Sequence, residues 1–161
     1  MHNKTIIDML GNWQIGLRIL HRGHFECAKI YARRNLWFGV PTIIFSSAIG
    51  TTVIGSLEHS DDTYIRLLVG FMGIAAAVLA SLQTFLNFSG RAEQHKAAAV
   101  KYGTLRREIE ECLVSCSPDC PCPSDFCTNI RKRWDSVDMQ SPTIPEKIFS
   151  KTEKTIKGLK G

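Results

Sequence analysis

Residues 35 to 57 read NLWFGVPTIIFSSAIGTTVIGSL, an uncharged stretch with many small and hydroxylated residues. An α-helix rises about 1.5 Å per residue, so this stretch would be roughly 35 Å long as a helix. That length is sufficient for a bilayer hydrocarbon core of about 30 Å. A second uncharged stretch, LLVGFMGIAAAVLASLQTFLNF, occupies residues 67 to 88. The first span and the second span together predict an all-α membrane protein with a two-helix transmembrane hairpin.

Charged residues around the two spans predict the topology. The loop at 58 to 66 is acidic, with Glu58, Asp61 and Asp62 against Arg66. Basic residues lie on the outer flanks: Arg18, Arg22, Lys29, Arg33 and Arg34 before the first span, and Arg91, Lys96, Lys101, Arg106 and Arg107 after the second. Because lysine and arginine are enriched on cytoplasmic flanks, we expect both termini in the cytoplasm and the loop outside. The basic residues are not interleaved with stacking aromatic residues, so we expect no nucleic-acid partner.

Two further helices are predicted on the cytoplasmic side. Apolar and semi-polar residues recur at spacings of three and four in two segments. One precedes the first span (Ile6, Leu10, Trp13, Leu17, Leu20, His24, Cys27, Tyr31), and the other follows the second span (His95, Ala98, Tyr102, Leu105, Ile109, Cys112). Such spacing forms one face of a helix that packs against another helix. We therefore expect an antiparallel helical stalk. No proline lies between Leu67 and Ser117, so we expect the second span to be continuous with a long cytoplasmic helix.

The predicted segments follow one another along the chain. Residues 1–34 form a cytoplasmic N-terminal helix, 35–57 the first span, 58–66 a short extracytoplasmic loop, 67–88 the second span, 89–113 a cytoplasmic helical extension, 114–127 a Cys/Pro-rich loop, and 128–161 a C-terminal helix and basic tail. Thr128 is a suitable N-cap for a helix at 128 to 140. The lysine-rich residues that follow are expected to be a solvated tail.

Five of the six cysteines lie between residues 112 and 127. The predicted topology places them in the reducing cytoplasm, where structural disulfides are rare. Their spacing lacks the paired C-x-x-C pattern of a zinc knuckle, so a metal site is the weaker interpretation. We expect a loop of reduced thiols, with no metal and no cofactor.

Small and polar residues of the second span fall on one face of the helix. At 100° per residue, a single arc contains Gly70, Gly73, Ala76, Ala77, Ala80, Gln83, Thr84 and Asn87, and larger apolar residues fill the opposite side. The first span has a narrower stripe that includes Gly39, Ser46 and Gly50. Small residues let helix backbones approach closely in lipid. The face either docks the helices of an anchor, or lines a pore formed by several copies.

The stalk is the expected receiver of a signal. Its candidate residues are His24, Tyr31, His95, Tyr102 and Arg106. Each histidine is either a hydrogen-bonded interface residue or a sensor of pH or ligand. The sequence has no phosphate-binding glycine loop, nucleophile elbow or H-E-x-x-H motif, so no catalytic residue is predicted and we expect a protein that is not an enzyme.

Three segments in a fixed order resemble the SLATT family. They are HFECAKIYARRNLWFGVPTII (24–44), QTFLNFSGRAEQHKAAAVKYGTLRREIEE (83–111) and RWDSVDMQSPTIPEKI (133–148). The resemblance implies a two-span effector of a prokaryotic antiphage conflict system, located in the inner membrane. It also implies homo-oligomeric pores that arrest or kill the cell under control of a nucleotide second messenger, or of the synthase or sensor of that messenger. A membrane anchor that tethers a partner enzyme or sensor remains the alternative.

Overall fold

The computed structural model describes residues 2–59, 63–115 and 124–158. It contains five helices: α1 (His2–His59), α2 (Thr63–Leu86), α3 (Phe88–Ser115), α4 (Ser124–Gln140) and α5 (Glu146–Gly158). Every regular element of these residues is an α-helix, which confirms the all-α prediction. The chain forms two compact units, which we name the bundle unit (Met1–Lys29 and Ala92–Gly161) and the hairpin unit (Ile30–Arg91).

The bundle unit is built on antiparallel packing of α1 against α3. Gln14 bonds Glu110, His21 bonds the carbonyl of Ala99, and His24 bonds His95, so α3 positions fall as α1 positions rise. The buried core of the unit consists of Leu10, Leu17, Ala98, Tyr102, Leu105, Ile109 and Ile130. All of these except Ile130 belong to the two predicted faces. The predicted antiparallel packing of the two segments is therefore confirmed.

Helix α4 completes the core of the bundle unit. Trp134 lies edge-on to Trp13 with ring centroids 6.1 Å apart, and a Cβ built at Gly16 would be 3.3 Å from the Trp134 ring. A side chain larger than hydrogen at position 16 would press against this indole. The helix begins at Ser124 rather than at the predicted Thr128.

The prediction that the lysine-rich stretch from residue 147 onward is a solvated tail is wrong for residues 147–158. Residues Glu146–Gly158 form α5, in which Thr152 and Ile156 are buried. The carbonyl of Pro145 accepts the first helical bond, from the N–H of Ile148 at 2.9 Å. The half-buried Ile148 precedes Thr152 and Ile156 at intervals of four residues. These three residues form one side of the helix, which the abundance of lysine obscures in the sequence.

In the hairpin unit, the second part of α1 packs against α2. Asn35 accepts a bond from Gln83 Nε2 at 3.4 Å, and a Cβ built at Gly73 would be 4.0 Å from Ile49. These contacts run in opposite directions along the two helices, so the pair is antiparallel. Within the described residues, one segment, Thr63–Ser115, contains a stretch long and apolar enough to cross a membrane. That α1 also crosses a membrane stays a prediction.

The predicted continuous helix from the second span onward contains one non-helical residue, Asn87, between α2 and α3. This residue has a φ of 43°, a left-handed conformation that asparagine adopts more readily than most residues. Its Oδ1 accepts a bond from the N–H of Gly90 at 3.1 Å, as an N-cap does. A Cβ built at Gly90 would be 2.7 Å from this side chain, so the cap requires glycine there. Backbone bonds of helical spacing nevertheless continue through Asn87, from its N–H to the carbonyl of Gln83 at 3.2 Å and from the N–H of Arg91 to its carbonyl at 3.1 Å. Asn87 is therefore a local irregularity between α2 and α3.

The cysteines depart from the expected loop of reduced thiols. Cys112, in the last turn of α3, is disulfide-bonded, whereas Cys27 and Cys127 are reduced. The crowding of five cysteines into sixteen positions favours such a bond, because it holds thiols close together in the chain. Residues 116 to 123 of the predicted loop lie outside the described residues.

Candidate functional site

A buried polar chain connects three helices of the bundle unit. His24 of α1 and His95 of α3 are 2 % and 3 % exposed, and their Nδ1 atoms are 2.9 Å apart. The His24 ring stacks on Tyr102, with centroids 5.3 Å apart and planes inclined by 18°. Tyr102 donates its hydroxyl proton to Asp138 of α4 at 2.6 Å. This series of side-chain contacts, the buried polar chain, thus links α1 through α3 to α4.

Geometry and burial fix the protonation of the two histidines. One Nδ1 must donate and the other must accept, so the pair needs at least one neutral ring. Burial lowers the pKa of His24 to about 4, and the neighbouring His95 adds to this shift. Burial also lowers the pKa of His95. The pair is therefore neutral at physiological pH and holds α1 against α3 without charge.

Tyr102, which follows His24 in this series of buried side chains, is also held in its neutral form. Its pKa is raised, first by burial and then by the hydrogen bond to Asp138, so its hydroxyl remains a proton donor. The ring is 2 % exposed. A group so buried is not available to a substrate, and the chain of side chains acts as a structural connection between helices.

The predicted signal-receiving residues fall in three places. His24 contacts both His95 and Tyr102, as described above. Arg106 is also in the bundle unit, where its Nη1 donates to Glu110 at 2.8 Å. Tyr31 belongs to the hairpin unit, where its ring stacks on Phe88 at 6.3 Å and Arg34 lies over its face at 5.9 Å.

The predicted small face of α2 divides into two groups. Gly73, Ala76 and Gln83 are buried or half-buried, and Gly73 and Gln83 contact α1. The outward group, which we name the small stripe, consists of Gly70, Ala77, Ala80 and Thr84, all exposed. Asn87 is exposed and caps α3. On α1, a Cβ built at Gly39 would be 3.3 Å from Gln83, whereas Ser46 and Gly50 are exposed.

Hydroxyl groups in the hairpin unit bond to their own helices. Thr84 Oγ1 donates to the carbonyl of Ala80 at 3.0 Å, and Thr42 Oγ1 to that of Phe38 at 2.8 Å. Ser81 does the same to Ala77 at 2.8 Å. Such bonds satisfy the hydroxyl inside an apolar environment. These side chains are consequently compatible with lipid as well as with a second helix.

Several contributors to the site were missed in the sequence. Asp138 is the partner of Tyr102, and Phe88 is the partner of Tyr31; each comes from a different part of the chain. Glu110, in contrast, lies four residues after Arg106 and follows from helical spacing. Ile144, whose Cδ1 would be 3.0 Å from a Cβ at Gly23, also escaped notice. Among the described residues, no group of three or more histidine, cysteine or acidic side chains is arranged to hold a metal ion.

Comparison with known proteins gives one match. The family model described as "SMODS and SLOG-associating 2TM effector domain family 4" matches residues 18–158. This range includes nearly the whole chain and all three segments that carry the resemblance. No curated protein and no solved structure matches the chain significantly.

Proposed function

Because the chain belongs to the SMODS and SLOG-associating two-transmembrane effector domains, family 4, we propose that it oligomerises in the inner membrane and permeabilises it. The observation that carries this proposal is the small stripe of α2. Gly70, Ala77 and Thr84 recur every seven residues, or about two turns, on an exposed line of an apolar helix. Small residues on an exposed line let a second helix approach closely where lipid surrounds both.

The rest of the hairpin surface is suited to lipid. Phe71 and Phe85 on α2 are 74 % and 85 % exposed, and Trp37 and Ile43 on α1 are 75 % and 67 % exposed. A soluble protein rarely exposes apolar side chains of this size in such number. These side chains support the proposal of two membrane-crossing segments, which the family description implies. We propose that both termini lie in the cytoplasm because basic residues flank the two spans and the loop between them is acidic.

Control is proposed to act through the bundle unit. Its buried polar chain ties α1, α3 and α4 together, so a ligand or partner that changes this packing changes the helices that continue toward the spans. The trigger proposed from the resemblance is a nucleotide second messenger or a partner protein that makes or senses one. Two switches fit this arrangement: clustering of copies, or rotation of the second span together with its cytoplasmic extension.

The proposal is tested by expressing the protein in bacteria and following membrane potential with a voltage-sensitive dye. High expression drives association by mass action, so we expect depolarisation and growth arrest. Gly70→Leu, which adds bulk to the small stripe at a position with nothing within 4 Å, should relieve both effects. Ile74→Leu, on the large apolar side, is the matched control and should not. If cells that carry the protein in their membrane keep their full membrane potential, the protein would instead be an anchor that tethers a partner enzyme or sensor.

A further inference from the structure

The bundle unit contains a cleft of about 410 Å³ that the proposed pore does not use. Its lining comprises Arg18, His21, Arg22, Phe25, Glu26 and Lys29 of α1 and Arg106 of α3. The α1 residues follow the pattern i, i+3, i+4, i+7, i+8 and i+11 from Arg18 to Lys29, so one face of the helix supplies them all. The volume lies within the range of small-molecule sites, which is about 300–1,000 Å³.

Positive charge dominates the cleft. Four lining side chains are cationic and one, Glu26, is anionic. Glu26 is paired with Lys29 at 3.3 Å. Within the part of the chain that the structure describes, Arg18 and Arg22 form no ion pair. Several positive charges along one cleft attract an anion.

Arg106 is held ready for an anion. Its Nη1 donates to Glu110 Oε1 at 2.8 Å, and Gln14 Nε2 donates to the same oxygen at 2.9 Å. These bonds fix the guanidinium, yet its buried Nε has no hydrogen-bond partner among the described residues. The remaining guanidinium N–H groups, which Glu110 does not occupy, are strong donors to a phosphate oxygen.

Two rings give the cleft an apolar side. His21 Nδ1 donates to the carbonyl of Ala99 at 2.8 Å, which fixes the ring and its tautomer. Phe25 lies edge-on to this ring, with centroids 5.0 Å apart and planes at 75°. A cleft that combines cationic and aromatic side chains is better suited to an organic phosphate than to a bare inorganic ion.

We propose that this cleft binds a small phosphate-bearing organic molecule through Arg18, Arg22 and Arg106, with Phe25 against its apolar part. Two sources have this chemistry: a free phosphorylated metabolite, or the head group of an anionic phospholipid. The inference stands whether or not the protein permeabilises membranes, because binding is measured on a protein that need not conduct.

The experiment uses the full chain in detergent micelles and follows thermal unfolding and calorimetric binding with inorganic pyrophosphate as the probe. Sulfate at equal ionic strength controls for screening. The test variants are Arg18→Gln and Arg22→Gln, which change exposed side chains and should fold normally. Arg107→Gln is the matched control, since Arg107 is exposed on α3 next to Arg106 but does not line the cleft. A second arm compares nanodiscs of phosphatidylcholine with nanodiscs that also contain phosphatidylglycerol.

We expect pyrophosphate to stabilise the protein more than sulfate does. The Kd for pyrophosphate should rise about tenfold in Arg18→Gln and in Arg22→Gln, because each variant loses one charge-assisted contact. In Arg107→Gln the same Kd should change less than about twofold. If phosphatidylglycerol stabilises the protein and the cleft variants abolish this effect, the same site binds a phosphate group that belongs to a lipid head group. Equal weakening in Arg107→Gln, or no difference from sulfate together with no lipid effect, would overturn the proposal.

Discussion

His24 and His95 meet through their Nδ1 atoms at 2.9 Å, in the buried centre of the bundle unit. This contact joins the two helices that the sequence pattern predicts to be neighbours. It also limits the protonation state of the pair, because protonation of both rings would leave neither Nδ1 as an acceptor. The stability of the bundle unit should therefore depend on pH.

Acidification is expected to destabilise the bundle unit between pH 6.5 and pH 4. The pKa of His24 is lowered from 6.5 to about 4, so the unfolded chain binds more protons than the folded chain in this window. Stability is then fully present above pH 6.5 and falls as the pH approaches 4, by roughly 3 kcal/mol for His24 alone. Urea unfolding at several pH values measures the slope. In His24→Gln the slope should shrink, and an unchanged slope would show that other groups cause it.

Removal of the Tyr102 hydroxyl should weaken the connection between α3 and α4. The hydroxyl donates to Asp138 at 2.6 Å, and a bond to a charged acceptor contributes about 1.5 kcal/mol or more. We expect Tyr102→Phe to lower the free energy of unfolding by roughly that amount. A double-mutant cycle with Asp138→Asn should give a coupling of about 1 kcal/mol. Additive effects of the two substitutions would contradict the bond.

Alanine at two glycines of the bundle unit should have opposite effects. A Cβ at Gly103 would be 2.7 Å from His21 Nδ1 and would displace the ring from Ala99. A Cβ at Gly11 would meet nothing within 4 Å. We expect Gly103→Ala to lower the thermal midpoint, at a cost of about 1 kcal/mol, and Gly11→Ala to raise it through helix propensity. Equal stabilisation by both substitutions would show that position 103 has room for a methyl group.

The prominent features of the fold were predictable because they depend on periodicity. Spacings of three and four placed His24, His95 and Tyr102 on facing helices, where the structure brings them together. The irregularity at Asn87 was not predictable in this way, because it depends on one side chain that caps α3. Helix α5 was missed because lysine masks the line of Ile148, Thr152 and Ile156. Asp138 was missed because only the fold brings it to Tyr102, whereas Glu110 lies four residues after Arg106 on the same helix and follows from helical spacing.

Cys27 should resist alkylation in the folded protein. Burial, with a contribution from Glu26, raises the pKa of its thiol to about 11. At pH 8 the thiolate fraction is then on the order of 100-fold lower than for an unperturbed cysteine. Peptide mass spectrometry after timed iodoacetamide treatment measures the rate. Cys127, which is only half-buried, should react faster in the native protein, and the two should react alike in urea. Rapid native labelling of Cys27 would contradict its burial.

The most direct test of the proposed function is dye release from liposomes that contain the purified protein. The account predicts release that rises with protein density and falls at least tenfold in Ala77→Leu, which blocks close approach at the small stripe. Val78→Leu changes the adjacent exposed apolar residue and should release dye like the original protein. Equal release by both variants, or no release at any density, would contradict membrane permeabilisation through the small stripe of α2.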